Sequence, residues 1–324
     1  MSCYDVFNGD ADGICALHQL RLDNPRPDAL LVTGVKRDIA LLAKLDEIHN
    51  STITVLDISL DRNRDSLTKL LRQGNDVLYI DHHFSGPVPA GGKIEIHIDP
   101  RPMTCTSIIV DALLRGRYRP WAIAGAFGDN LDETALELAE TIHLDEKQTQ
   151  QLKETGILLN YNGYGATLED LFFPPDQLYR QVHAFESPFD FYARSEAMEI
   201  LLAGYRNDMA LALASKPVLE ESQGRIFQLA GEPWARRVAG VFSNTLARER
   251  PDMAHGLIIP NSDGTLRISV RAPLSHRTGA DVLCRQFPTG GGRAAAAGIN
   301  FLPPEQAKMF LQAFMDQFGE VAEQ

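Results

Sequence analysis

At 324 residues the chain has room for two domains and a sizeable core. Its 43 acidic against 31 basic residues give a formal net charge of -12. That balance argues against sequence-independent binding of long duplex nucleic acid, which rests on neutralising many phosphates with Lys and Arg. The four cysteines, Cys3, Cys15, Cys105 and Cys284, form no Cys-x-x-Cys pair, which argues against a disulfide framework or a thiolate zinc site and fits reduced thiols in the cytoplasm.

The first half alternates strand-like and helix-like segments. Apolar runs at 3–7, 29–35, 52–58, 76–80 and 94–98 read as strands, with amphipathic helices at 14–22, 39–49 and 62–73 between them. Alternation of this kind predicts a mainly parallel sheet with helices on both faces. Met1 leads almost at once into the first strand, without a basic start or an apolar core segment, so no secretory signal is expected. No apolar run is long enough to predict a transmembrane helix. A helix over 104–115 carries Thr106 or Ser107 in its first turn. A helical stretch from 121 to 160 is interrupted by the acidic Ala126-Phe127-Gly128-Asp129-Asn130. Residues 170–186, rich in proline and aromatics, read as an irregular end to the first domain, and 191–214 as a connecting helix.

From Gly224 the pattern restarts. Strands are expected at 226–229, 256–259 and 266–270, and helices at 234–248, 280–286 and 304–318. Asn261-Ser262-Asp263-Gly264 has the composition of a hairpin turn. Gly290-Gly291-Gly292 is expected to turn into a further helix. The fold class is therefore α/β, an N-terminal mainly parallel sheet with helices on both faces plus a smaller C-terminal α+β domain. The expected boundaries are 1–190, a connecting segment 191–222, and 223–324.

Three segments carry the chemistry: Asn8-Gly9-Asp10-Ala11-Asp12-Gly13, Val55-Leu56-Asp57, and Val77-Leu78-Tyr79-Ile80-Asp81-His82-His83. Each sits at the C-terminal end of a strand-like run, and in an open parallel sheet those ends share one crevice. Each acid could simply cap the helix that follows it, but two adjacent imidazoles are not cap residues. Asp10 and Asp12 repel unless a cation lies near them. Asp57, from another strand, could bridge two cations, and His82 adds a nitrogen ligand. Carboxylates plus imidazole suit Mn²⁺, with Mg²⁺ or Co²⁺ as alternatives. Two ions about 3.5–4 Å apart would clamp a phosphate for in-line attack. In the second domain, the glycine run beside Arg293 could cradle a phosphate, and Arg271 closes the strand-like 268–271.

The ordered set resembles the signature of the DHH superfamily of phosphoesterases, named for the run found here as Asp81-His82-His83. That superfamily includes single-strand-specific exonucleases, nanoRNA and pAp phosphatases, cyclic-dinucleotide phosphodiesterases and manganese pyrophosphatases. The first motif matches residues 8–13, the second Asp57, the third Asp81-His82-His83 and the fourth Asp129, over roughly the first 130 residues. The resemblance implies one complete metal site from Asp12, Asp57, His82 and Asp129, and part of a second from Asp10 and Asp57. It implies that His83 faces the substrate phosphate and that Asp81 orients the histidines. The last 100 or so residues resemble the superfamily's C-terminal substrate-binding domain, through Ser269-Val270-Arg271 and Gly290-Gly291-Gly292-Arg293.

There are departures. Many members carry a histidine ligand where this chain has Val6, and exonuclease-like members carry an aspartate where it has Asn8. The second metal site is therefore expected to be weak, or filled only with substrate bound. Arg293 stands where the family has histidine; it can grip an anion but cannot act as acid or base.

The expected protein is a cytoplasmic, metal-dependent phosphoesterase in which the first domain holds Mn²⁺. Arg271, Gly290, Gly291, Gly292 and Arg293 would bind substrate phosphate, with Asn8, His276 and Arg277 as further candidates. The expected partner is a short nucleotide or other small phosphorylated substrate rather than long duplex DNA or a membrane, and a homodimer is the candidate assembly. The alternatives are an exopolyphosphatase or pyrophosphatase, and a nucleotide- or anion-binding protein with little turnover.

Overall fold

The computed structural model describes residues 2–319. The N-terminal alternation forms a five-stranded, all-parallel sheet. Its strands are β1 (Cys3–Phe7), β2 (Leu30–Val32), β3 (Thr52–Leu56), β4 (Asp76–Asp81) and β5 (Lys93–Ile98), in the order β2-β1-β3-β4-β5. Phe7 pairs with Leu56 and Leu56 with Ile80, so the C-terminal ends of β1, β3 and β4 stand level. The strand order reverses direction between β1 and β3, and such a switch point opens a crevice at the carboxyl ends.

Strand alternation decides which face each helix covers. Helix α1 (Ala11–Asp23) lies on the face that carries Asp5 and Thr54. Its Arg21 forms a bidentate pair with Asp5 at 2.5 and 2.7 Å and reaches Thr54 Oγ1 at 2.9 Å. All three side chains are buried. The pair is desolvated, but the fork geometry and the threonine satisfy its polar groups. On the opposite face, Val6, Ile53, Val55, Val77 and Tyr79 pack with Leu60, Leu67, Leu70 and Leu71 of α2 (Leu60–Arg72).

The helix expected over 39–49 is only a 3-10 turn, Leu41–Leu45. Asn63 of α2 donates to Ile39 O at 2.6 Å and accepts from Leu42 N at 3.1 Å. A side chain thus takes the backbone bonds that would have propagated a helix. After β5 come α3 (Thr106–Leu113), then α4 (Arg119–Gly128), α5 (Asp132–Thr141) and α6 (Glu146–Gly163), which divide the expected stretch over 121–160. The segment expected to be irregular contains α7 (Pro175–His183). Its Pro175 sits at the first helical position, where proline's fixed φ starts a helix rather than breaking one. The stretch 191–214 is α8 (Pro188–Arg194) and α9 (Glu196–Leu213), parted at Ser195, whose ψ of 126° is extended.

The chain divides into two compact units, Met1–Ala203 and Gly204–Gln324, and α9 runs through the division. The second unit is built on a six-stranded mixed sheet in the order β10-β11-β9-β8-β7-β6. Its strands are β6 (Pro217–Glu221), β7 (Gly224–Gln228), β8 (Ala254–Pro260), β9 (Leu266–Arg271), β10 (Gly290–Arg293) and β11 (Ala296–Leu302). Helix α10 (Pro233–Glu249) connects the parallel pair β7 and β8, and α11 (Ala280–Cys284) and α12 (Ala307–Phe318) follow. Phe310, Phe314 and Phe318 of α12 join Ile226, Val270 and Ile299 in one buried cluster. The expected turn at 261–264 joins β8 to β9.

The glycine run differs from expectation. Gly290–Arg293 is strand β10, paired antiparallel with β11, and it leads into that strand rather than into a helix. A Cβ on Gly290 would collide with the carbonyl oxygen of Cys284, so only glycine lets β10 lie against the end of α11. Ala297 and Ile299 are buried while Asn300 is exposed, a strand's alternation. Placement in the sheet overrides alanine's preference for helix. Among the described residues no helix is long and apolar enough to cross a membrane.

Candidate metal centre

Asn8, Asp10 and Asp12 follow β1, Asp57 follows β3, and Asp81 ends β4 with His82 and His83 after it, at the level strand ends beside the switch point. Gly13 is required there: a Cβ would collide with Asn8 O. Asp10 caps α1, its Oδ1 accepting from Gly13 N at 3.1 Å. Its Oδ2 accepts from Lys36 Nζ at 2.6 Å, so the cap is also one half of an ion pair.

Asp12 turns its two oxygens to the N-terminus of α3, each accepting a backbone amide, from Ser107 and Thr106, at 2.7 Å. The carboxylate is thereby fixed against rotation and stabilised by the positive helix end, with a second lone pair left on each oxygen. Asp57 has φ of 58°, a left-handed conformation that aspartate tolerates better than most residues. Thr106 Oγ1 donates to its Oδ1 at 3.2 Å.

His82 is oriented from behind. Its Nδ1 is 3.0 Å from Thr104 O; a carbonyl only accepts, so Nδ1 carries the proton. Nε2 faces the carboxylates, 3.5 Å from Asp57 Oδ1 and 3.8 Å from Asp129 Oδ2. A histidine pinned through one nitrogen with the other facing carboxylates is the arrangement of a metal ligand. Asp129 closes α4.

Ligand atoms of Asp57, His82 and His83 lie within 4.8 Å of one another. Asp12 and Asp129 of the expected tetrad stand outside that group of three, and both Asp12 oxygens accept amides of α3. Asp81 orients one histidine rather than two: its Oδ1 is 2.8 Å from His83 Nδ1, whereas His82 is held by Thr104. Asp81 is fully buried, and its Oδ2 has no hydrogen-bonding partner among the described residues.

The electrostatics show a deficit of positive charge. Burial drives the Asp57 carboxyl well above the usual carboxylate range, and the charges of Asp12, Asp10, Asp129 and Asp81 push the same way. Burial also raises Asp129; Lys36 opposes this, and Asp12 and Asp10 add to it. Asp10 moves the other way. Burial would raise it, but the Lys36 ammonium and the Gly13 amide hold it below the usual range. Burial disfavours charge on His83, yet its hydrogen bond to Asp81 and the surrounding carboxylates outweigh that and raise its pKa. Five carboxyl groups against one ammonium is a cluster that a divalent cation would stabilise.

Sequence reasoning did not single out Lys36, Thr104 or Asn160. Lys36 Nζ also reaches Asn160 Oδ1 at 3.0 Å and Asp129 Oδ1 at 3.5 Å. Lys36 lies just past the run 29–35, so the strand-end criterion that points to Asp57 points to it too. Asn8 is buried; its amide donates to Lys36 O at 3.3 Å, and its Oδ1 has no partner among the described residues.

In the second unit, Arg271 ends β9 and donates through Nε to Asn244 Oδ1 at 2.9 Å. Arg293 ends β10 and is exposed. His276 and Arg277 are exposed in the loop between β9 and α11.

No family model matches the sequence, and no curated protein matches it. Among solved structures, the exonuclease RecJ bound to manganese aligns over 97% of this chain and 89% of its own, at 15% identity and a TM-score of 0.62. RecJ from Thermus thermophilus in complex with Mn²⁺ aligns over 97% of this chain and 51% of its own, at 15% identity and a TM-score of 0.61. PggH, a pGpG-specific phosphodiesterase from Vibrio cholerae, aligns over 98% of both chains, at 14% identity and a TM-score of 0.54. The chain thus has the fold of RecJ and PggH, which is the fold implied by its resemblance to the DHH superfamily.

Proposed function

We propose that the chain is a metal-dependent phosphoesterase acting on short nucleotides. The observation that carries this reading is His82, with Nδ1 tied to Thr104 and Nε2 turned to Asp57 and Asp129. Carboxylates and an imidazole suit Mn²⁺, with Mg²⁺ or Co²⁺ as alternatives. A divalent ion bound there supplies a Lewis acid for a phosphoryl oxygen and lowers the pKa of a water. Asp57, His82, Asp129 and Asp12 would hold it. Asp81 fixes the His83 ring through Nδ1 and raises its pKa, which favours Nε2–H as a donor to a substrate phosphate. The shared fold supports the reading, since RecJ is an exonuclease and PggH a phosphodiesterase, and RecJ is seen with manganese.

Phe84 favours a nucleotide over an inorganic polyphosphate. It directly follows His83 and is 73% exposed, an aromatic face on which a base can stack. The net charge of -12 favours a short substrate over a long strand. Because PggH matches this chain over its whole length, a linear dinucleotide of the pGpG kind heads the substrate classes. Arg271 and Arg293 are proposed as anion-binding side chains of the second unit.

The test is a hydrolysis screen with Mn²⁺ over linear and cyclic dinucleotides, pAp, polyphosphate and pyrophosphate. Turnover of a linear dinucleotide is expected; binding without turnover of any of them would leave only a sensor. Phe84→Ala is expected to raise KM for a dinucleotide by about 5- to 150-fold, the worth of roughly 1–3 kcal/mol of stacking. Arg293→Ala is expected to raise KM about 10- to 150-fold for substrates with a terminal phosphate, leaving Mn²⁺ affinity unchanged. Equal KM values for wild type and both variants would remove these two residues from the substrate site.

A further inference from the structure

Resting on the reading that this cluster binds a divalent ion, we propose that Lys36 supplies the site's second positive charge itself, so that one divalent ion binds per chain. The ammonium has three N–H donors. They meet three oxygens, Asp10 Oδ2 at 2.6 Å, Asn160 Oδ1 at 3.0 Å and Asp129 Oδ1 at 3.5 Å. The Tyr164 ring lies 5.5 Å from Nζ.

The backbone of Lys36 is held as firmly as its head. Its N–H donates to Gly163 O at 2.9 Å, and its carbonyl accepts from the Asn8 amide at 3.3 Å. Elements from three parts of the first unit therefore converge on this one lysine: the loop after β1, the end of α4 and the end of α6. A lysine drawn in casually by negative charge would have no reason to be clamped at both main-chain groups.

Asp10 is consumed by this arrangement. One oxygen serves the Gly13 amide and the other serves Lys36. A divalent ion bonded to Asp10 at about 2.0–2.6 Å would have to share a carboxylate with an ammonium already in contact with it. Asn8 Oδ1 has no partner among the described residues, but a neutral amide oxygen does not offset repulsion between the two cations. Asp57, His82, Asp129 and Asp12 remain for the single ion.

Equilibrium dialysis of the metal-stripped full chain against Mn²⁺, followed by elemental analysis, reads the count directly. One ion per chain is expected for wild type, with the electron paramagnetic resonance spectrum of an isolated Mn²⁺. Lys36→Met removes the charge and is expected to take up a second ion and show manganese–manganese coupling. Lys36→Gln, which keeps a hydrogen-bond donor without the charge, serves if the methionine variant does not fold. Two coupled ions in wild type would overturn the proposal. So would a count of one in both wild type and the folded variant, since Lys36 would then not be what excludes the second ion. No bound ion in wild type is a different failure, that of the metal reading itself.

Discussion

Asp57→Asn is expected to abolish Mn²⁺ binding at micromolar concentrations and to lower kcat/KM by at least about a thousand-fold, the equivalent of roughly 4 kcal/mol of metal-dependent stabilisation. Asp57 is the carboxylate closest to the free nitrogen of His82, at 3.5 Å. Asparagine keeps the shape and accepts the φ of 58°, so the backbone at the end of β3 is undisturbed. What is lost is the negative charge. Steady-state hydrolysis and titration calorimetry on the same preparation check both halves. Full turnover in this variant would show that the reaction does not depend on the cluster.

The same substitution is expected to stabilise the metal-free protein, and increasingly so as pH rises. Asp57 in the folded chain has a pKa well above its unfolded value, chiefly because it is buried. Between those values the folded state holds a proton that the unfolded chain has released, so stability falls as pH rises through the window. The cost accumulates at about 1.4 kcal/mol per pH unit for a fully linked proton. Asp129 and His83, also raised, act in the same direction. Asp10 is lowered, and its contribution is lost only below the ordinary carboxylate range. His18 opposes the trend in acid: burial depresses its pKa to about 3, so its contribution grows as pH rises towards the ordinary imidazole value. Comparing Asp57→Asn with wild type in EDTA removes the contributions common to both chains, and Asp10, which hydrogen-bonds to Asp57, shifts with it. Urea midpoints should separate in favour of the variant as pH rises above the ordinary carboxylate range, and Mn²⁺ should reverse the order. Parallel midpoints would mean that Asp57 carries no unusual proton.

Most of the first sheet was legible because its strands are short apolar runs, each ended by a polar residue. That is why residues from β1, β3 and β4 could be assigned to one crevice from the sequence. The helix expected over 39–49 failed for a tertiary reason, since its backbone is claimed by Asn63 from α2. Helix α7 was hidden by Pro174-Pro175, which looks like a breaker until it is placed at a helix start. The glycine run was misleading because Gly290 answers to Cys284 packing beside it. At the site, Asp10, Asp57 and His82 announce themselves by type and by strand end. Lys36 shares the strand-end position but not the residue type: between Val35 and Arg37 a lysine reads as ordinary surface charge, and only the fold brings Asp10, Asp129 and Asn160 around it. The backing of His82 by Thr104 is equally silent, because a main-chain carbonyl leaves no mark on the sequence.

The most direct test of the central claim is a crystal of the protein grown with Mn²⁺ and measured at the manganese absorption edge. An anomalous peak bonded to His82 Nε2 and Asp57, with Asp129 or Asp12 completing the ligands, is the predicted result. A peak elsewhere, or none at saturating Mn²⁺ with His82 Nε2 still free, would contradict it.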